Sequence, residues 1–585
     1  RPLEPPSAVD PTAPIGWGRF SPVGREIASP APDRPRTESR AVVDLALAPD
    51  ARVVFGSWTI EAAALNEIAV SPDGHVRIEP LPAADRRLDV RVTADGRPTP
   101  TRVRFVAADG RELPPLGHRE ELNPGILEDS GAGLILGSET WAYVPGDFEV
   151  DVPLGAVTVE VTKGFDHRPV RRELTIDAAT PSHLDIDLDR PIDLRPAGWR
   201  SSDSHVHFLP PSTALLQAAA EDVTWVHLLA TQLGDEHTSI PDLAWGGGRD
   251  PGGEHEVIVG TENRHNLLGH LALLGAQRPV LPLSSGGAPE GRIAAPTREL
   301  LADWADRCHA EGGLVVGAHF PLPFAEIAAD LVAGLIDAVE LQVLAPGLDN
   351  PSILEWYRFL NCGERVPIVG GTDKMSAEVP LGGIRTYAHL DPDADPTFDS
   401  WAAAVRGGRT FVTSGPVIEL VVEGREPGAV LSLPRGGGRL AVDIRVRAAQ
   451  PAIDAVEIVV NGRVVATQAE TEPRDDVRLA TTIDVRDSSW IAARSRSPFE
   501  IHSAFNTSMA AHTSPVYVEV EGRPFFVEED AAAILEVIDG TARWLETMAT
   551  VTDAETRARL AARVAASGAI LRDRIAASRR GGSTG

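Results

Sequence analysis

The 585-residue sequence predicts a multidomain α/β plus β protein: a distorted seven-stranded (β/α) barrel flanked by antiparallel β-sandwich domains, with a C-terminal helical tail. Three observations predict it. Short runs that alternate apolar and polar residues fill the stretches before residue 196 and after residue 415, as in sandwich strands. Between them, short apolar strands alternate with helical segments rich in Ala, Leu and Glu, the rhythm of βα units. From about Glu528 to Ser578 the chain reads as two helices rich in Ala, Arg, Glu and Leu.

Composition narrows the function class. A hydrophobic content of 43% and a charged content of 24% are those of an ordinary globular protein. No apolar run approaches the roughly 20 residues of a membrane span. A net charge of -29 speaks against a nucleic-acid partner, because phosphate backbones need clustered Lys and Arg. Lys163 and Lys374 are the only lysines, so the position of Lys374 is notable. Cys308 and Cys362 make no disulfide framework and read as buried thiols. The sequence starts at Arg1 with no signal peptide, which leaves both a cytoplasmic and an exported compartment open.

Taken in order, residues 1–38 are a Pro/Arg-rich arm without periodicity. Residues 39–195 form an N-terminal β-sandwich region of one or two modules. It starts with runs at 42–47 and 51–55, and continues through Leu88–Val92, Arg102–Val106, Gly146–Val152, Val157–Val161, Arg172–Ile176 and His183–Leu188. Turn pairs such as Asp109-Gly110 and Pro145-Gly146 separate several of them. Residues 196–415 hold the barrel. Its seven strand candidates are Ser204–Phe208, Thr224–Ala230, Glu256–Glu262, Pro279–Leu283, Leu314–Phe320, Ala338–Leu344 and Pro367–Asp373. The helices expected between them include Thr213–Ala220, Arg264–Leu274, Thr297–Glu311 and Ala325–Leu335; an open α/β sheet is the alternative arrangement. Residues 416–522 form a second sandwich with an Asn461-Gly462 hairpin turn, and 523–585 are the helices and tail.

The chemistry gathers at strand ends. His205 and His207 flank one strand residue, so both imidazoles leave the strand on the same side. In a parallel barrel the C-terminal strand ends face one mouth. Glu262, His319 and Asp373 stand at such ends, and His270 lies eight residues past Glu262 on an expected helix. Four histidines and two carboxylates suffice for two divalent ions sharing a carboxylate. A nitrogen and oxygen donor set without thiolates suits Zn, Mn or Fe.

The stretches Asp203-Ser-His-Val-His207, Gly260-Thr-Glu262, Gly269-His270, Ala318-His319 and Gly371-Thr-Asp373 resemble the metal motifs of the polymerase-and-histidinol-phosphatase (PHP) superfamily. Gly260–Arg264, Gly269–Gly275, Gly371–Met375 and Gly408–Pro416 resemble its CehA/McbA branch, which includes carbaryl hydrolase. The resemblance covers about Trp199 to Pro416. It implies one metal at His205, His207, Glu262 and Asp373, with Glu262 bridging to a second metal at His270 and His319. The third-metal motif departs from the superfamily's pattern, reading Asp373-Lys374-Met375 here, and His237 is the one residue that could mark that position.

The expected activity is a binuclear metal-dependent hydrolase, in which a hydroxide shared by the metals attacks a carboxyl or carbamate ester. A phosphodiesterase or phosphatase using the same metals is the runner-up. A glycan- or surface-binding protein with a PHP-like scaffold is the alternative of another class. Lys374 and Arg264 are candidates for orienting substrate or stabilising negative charge, with an ion pair to a neighbouring carboxylate as the bland alternative. Glu340 is a candidate for orienting a ligand histidine or acting as a weak general base. His265 reads as a solvent-facing helix residue and Tyr387 as a packed loop aromatic. The expected partner is a small-molecule ester, carbamate or phosphoester, and a homodimer stays open.

Overall fold

A computed structural model describes residues 51–582 apart from 66–67, 79–85, 120–121, 123–130, 235, 287–295, 345–351 and 502–506. The N-terminal arm and the strand expected at 42–47 lie outside the described residues.

The alternating residues of the first region point inward as the pleat requires. Arg86–Ala94 pairs antiparallel with Asp147–Val152 and, on its other side, parallel with His183–Leu188. A second sheet runs Val170–Ile176, Gly155–Thr162, Thr101–Ala107, Glu139–Val144 and Gly133–Leu136. Leu88, Val90 and Val92 of one sheet meet Val103, Phe105, Val157 and Val159 of the other in a closed apolar core.

In the middle region we label the strands β1 (Trp199–Val206), β2 (Trp225–Leu233), β3 (Glu256–His265), β4 (Gly269–Leu274), β5 (Leu314–Gly317), β6 (Ala338–Glu340) and β7 (Ile368–Val369). β1, β2 and β3 pair in parallel. β5, β6 and β7 also pair in parallel. Beyond β7, Lys374 forms a parallel bridge with Val206, which returns the chain to the side of β1.

β4 departs from expectation. The stretch Arg264–Leu274, expected as a helix, is a hairpin: β3 continues through His265, and β4 lies antiparallel to both β3 and β5. The strand expected at Pro279–Leu283 is absent; that segment instead supplies carbonyls, Leu283 to the Arg264 N–H and Val280 and Pro282 to the Asn263 amide. The physical reason lies in Leu271-Ala-Leu-Leu274. Every residue of β4 is buried, so the run is apolar on both faces and carries no period to tell strand from helix. Gly269, at φ +144°, opens the return strand at a point where a Cβ would meet Ile327 Cγ1 at 2.6 Å.

The second sandwich packs Val417–Val422, Gly438–Arg447 and Asp476–Val485 against Ile453–Val460, Ser489–Ile501 and their neighbours. It is continuous with the middle region, since Thr410–Thr413 pairs with both Arg385–His389 and Thr507–Thr513. Helices Glu528–Thr547 and Ala554–Gly582 bury Ile534, Ile538, Leu560 and Leu571 in the same apolar cluster as Leu271 and Trp304. Among the described residues no helix is long and apolar enough to cross a membrane. Cys308 and Cys362 are buried free thiols.

Candidate metal centre

β1 is buried along almost its whole length, and His205 near its end and His207 just past it enter the interior together. Their Nε2 atoms stand 2.9 Å apart. His207 Nδ1 lies 2.8 Å from the Leu229 carbonyl, which can only accept, so the Nδ1 carries the proton and Nε2 presents its lone pair. His205 Nδ1 lies 3.2 Å from both carboxylate oxygens of Glu340. With both outer nitrogens satisfied, two Nε2 lone pairs face each other across a hydrogen-bond distance. Only a positive centre between them, a proton or a cation, makes that arrangement favourable. Burial opposes a second proton on His205, but the carboxylates of Glu340, Asp373 and Glu262 outweigh it and hold the pKa at about 10. Burial and the neighbouring His205 charge lower His207. The site is built around positive charge.

Asp373 completes this first group. Its Oδ1 lies 3.5 Å from His205 Nε2 and 3.7 Å from His207 Nε2. A second group is formed by Glu262 on β3, His270 on β4 and His319 just after β5. Glu262 Oε1 is 2.9 Å from His270 Nδ1 and 3.3 Å from His319 Nε2, while Oε2 is 3.5 Å from His207 Nε2. One carboxylate therefore faces both groups. Burial alone would raise Glu262, yet the His270, His319 and Arg264 side chains hold it well below the ordinary carboxylate range. Burial, reinforced by Arg264, pushes His270 down to about 3, leaving a neutral imidazole.

Two of the six residues adopt backbone that L-residues rarely occupy: His319 at φ 31° and Asp373 at φ 46°. Strain of this kind costs of the order of 1–3 kcal/mol and is retained at functional sites. The donor set fits divalent ions: four imidazoles, one buried and one half-buried carboxylate and no thiolate, with the outer nitrogens of His205, His207 and His319 held by Glu340 and by backbone carbonyls.

All six ligand candidates come together, although His270 arrives on a strand rather than a helix. Glu340 is fully buried and accepts four donors: His205 Nδ1, the Ser204 hydroxyl at 3.0 Å, the His319 N–H at 3.1 Å and the Gln342 amide at 3.0 Å. So saturated, it orients His205 and pins the His319 backbone; a general-base role would need a free lone pair. Arg264 stands 4.0 Å from Glu262 Oε2, the ion pair, with its side chain 17% exposed. Lys374 is buried and donates to the Ser376 and Val379 carbonyls at 2.8 and 2.6 Å, bracing the loop that follows Asp373.

His265 corrects another expectation. It is buried on β3, with Nε2 3.0 Å from the Thr297 hydroxyl and Nδ1 accepting from the Leu267 and Leu268 N–H groups. His237 is exposed on the strand Glu236–Thr238 and belongs to neither group. Tyr387 stacks on Phe411 at 4.9 Å and reaches Asp166.

Asp203 is a functional candidate whose role the sequence does not announce. It is completely buried and accepts from the His205 N–H, the Thr372 N–H and hydroxyl, and the Gly382 N–H. Burial raises its pKa to about 6 against those four bonds. The available signal was an acid two residues before His205 on a strand with no solvent face.

No protein-family model matches the chain, and no curated protein matches it. Among solved structures, the lesion-specific endonuclease PfuEndoQ from Pyrococcus furiosus aligns at 14% identity with a TM-score of 0.23, covering 36% of this chain and 56% of that one. The chain thus spans little more than half the endonuclease's length. A lytic polysaccharide monooxygenase from Jonesia denitrificans aligns at 16% identity with a TM-score of 0.12, covering 26% of this chain and 84% of that one. At these TM-scores neither likeness bears on the fold or the chemistry.

Proposed function

We propose that the chain is a metal-dependent hydrolase of the PHP type, in its CehA/McbA-like branch, acting on a carboxyl or carbamate ester. The observation that carries the reading is Glu262, whose two oxygens face the two groups of donors at once. Two divalent ions held by these six side chains would supply an activated water and polarise the substrate's carbonyl oxygen. Glu340 and the Leu229 carbonyl keep the His205 and His207 imidazoles aimed inward. Arg264 is the cation beside Glu262 and orients a substrate oxygen. The two sets of parallel strands and the return from Lys374 to Val206 support a distorted barrel, with the β3–β4–β5 antiparallel run as its irregularity.

A phosphoesterase reading calls for two cationic clamps, and Lys374 spends its ammonium on loop carbonyls, which favours the neutral ester. A binding scaffold has no use for the complete donor set. The test is hydrolysis of an aryl ester, an aryl N-methylcarbamate and an aryl phosphate side by side, with His319→Ala and metal content in parallel. Metal-dependent release from the ester or carbamate, abolished in the variant, supports the reading. Release from the phosphate alone promotes the phosphoesterase, and two bound metals without turnover on any of the three contradict the ester assignment.

A further inference from the structure

The first metal group is held from behind by a chain of buried polar contacts that runs out to the N-terminal sandwich. Asp203 Oδ1 accepts the His205 N–H at 3.1 Å and the Thr372 N–H at 3.0 Å. Its Oδ2 accepts the Thr372 hydroxyl at 2.7 Å and the Gly382 N–H at 2.8 Å. One carboxylate thus ties the strand carrying His205 and His207 to the residue preceding Asp373. It also ties both to Gly382, at the far end of the loop.

Gly382 is in turn fixed by Arg385. The Arg385 Nε donates to the Gly382 carbonyl at 2.6 Å and Nη1 to the Glu221 carbonyl at 2.8 Å. Its guanidinium carbon lies 3.9 Å from the centre of the Phe165 ring, a cation–π contact made by the sandwich. Gly382 sits at φ +66°, and a Cβ there would meet Val223 Cγ2 at 2.5 Å and Arg385 Nη2 at 3.0 Å, so the turn has one position available to it.

The sandwich holds the same two segments elsewhere. Ile135 N–H donates to the Ala377 carbonyl at 2.9 Å, inside the loop after Asp373. Arg102 and Tyr143 bind Glu221 at 2.8 and 2.9 Å, at the end of the helix that follows His207. Lys163 reaches the Ala219 and Pro100 carbonyls. Among the described residues, none of these contacts touches Glu262, His270 or His319.

We infer that Arg385 and Asp203 form a positioning relay through which the N-terminal sandwich sets the geometry of the His205–His207–Asp373 group and leaves the Glu262–His270–His319 group alone. The inference rests on reading the first group as a half-site for a metal. It assigns no contact with substrate to either residue. Outer partners of metal ligands typically contribute about 10- to 100-fold in metal affinity, and the relay places that loss at one ion only.

The test is a Co2+ titration of the full chain, followed by ligand-field absorption and by metal analysis after dialysis. The variants are Asp203→Asn, Arg385→Met, Arg385→Lys and Phe165→Leu, with His319→Ala marking the second group. The wild type takes two Co2+. Asp203→Asn and Arg385→Met keep one Co2+ at close to wild-type affinity and weaken the other by about tenfold or more. Adding His319→Ala to either removes the retained Co2+, which identifies it. Arg385→Lys recovers part of the lost affinity, because an ammonium can still reach the Gly382 carbonyl. Phe165→Leu, which leaves every hydrogen bond of the relay in place, weakens the same ion by a few-fold and guards against loss of fold.

Unchanged affinity at both ions overturns the relay, and so does an equal loss at both, which is what general loosening produces. A wild type that takes two ions, loses one selectively in the variants and hydrolyses none of the aryl substrates contradicts the proposed function while upholding the relay. A wild type that hydrolyses the ester, with variants that hold both ions normally, does the reverse.

Discussion

The two candidate metal groups share the Glu262 carboxylate but are built and supported differently. The first combines His205 and His207, which are 0% and 2% exposed, with Asp373, whose side chain is 14% exposed, and the N-terminal sandwich lies behind it. The second stands on the β3–β4 hairpin and the turn after β5, with its His319 side chain 13% exposed. Its support comes from the other end of the chain. The Trp544 ring approaches His265 at 5.9 Å, Thr541 donates to the Ala325 carbonyl at 3.0 Å, and Thr297 N–H bonds the Thr550 carbonyl at 2.7 Å. Glu326 N–H holds the Leu268 carbonyl at 2.8 Å, at the tip of the hairpin. One centre can thus be assembled from two halves, each braced by a separate terminal region and each open to separate disruption.

The largest expected effect comes from removing what the halves share. Glu262→Ala takes a donor from both groups. Stripping several kcal/mol of charge stabilisation from the reaction is expected to lower hydrolysis by about 10^3-fold or more, with metal content falling below two per chain. An activity assay and metal analysis on the same preparation check this. Retention of both ions would show that the halves do not depend on Glu262.

Glu340→Ala comes next. Glu340 touches His205 in one half and the His319 backbone in the other, so both ions are expected to weaken, each by about 10- to 100-fold. The contrast with Asp203→Asn sharpens the comparison: one carboxylate serves two halves, the other serves one. Loss at a single ion in Glu340→Ala would blur that distinction.

A smaller effect appears without substitution. His205 has an ordinary value of 6.5 and about 10 in this fold, burial being outweighed by Glu340, Asp373 and Glu262. A raised pKa contributes stability that is fully present below about 6.5 and is lost as pH rises through about 10. The metal-free chain is therefore expected to lose thermal stability between those pH values. The metal-loaded chain, whose ion replaces the proton, is expected to lose less, and loading near neutral pH releases protons. Parallel melting curves from pH 6.5 to 10 check the first; titration in weakly buffered solution checks the second.

The smallest effect lies beside the second half. Burial pushes the Cys308 thiol up to about 12, so the native chain is expected to react with a thiol reagent at pH 8 far more slowly than the unfolded chain. Rapid native labelling would mean that the packing around Cys308, next to Gly313 and β5, opens readily.

Much of the centre was legible in the sequence because its signals are local. A period of two places His205 and His207 on one side of a strand whatever surrounds them, and Glu262, His319 and Asp373 each end or follow a short apolar run. Distant partners decided the remainder. Leu271–Leu274 has no polar face to reveal its period, so the run predicts a helix equally well and places His270 on the wrong kind of element. Lys374 looked available for substrate because nothing in its neighbours announces that the Ser376 and Val379 carbonyls curl back around its ammonium. Asp203 lies within a motif, but its partners Thr372 and Gly382 lie 169 and 179 positions away in the chain, so its neighbours announce no role. Its four bonds exist only once β1 and the segment after β7 are side by side.

The most direct test of the central claim is an anomalous-scattering map of crystals grown with Mn2+ or Zn2+. Two peaks about 4 Å apart, one beside His205, His207 and Asp373 and one beside His270 and His319, with Glu262 between them, are the result expected of a shared-carboxylate centre. A map with no peak among these six side chains, or with ions bound only elsewhere, would contradict it.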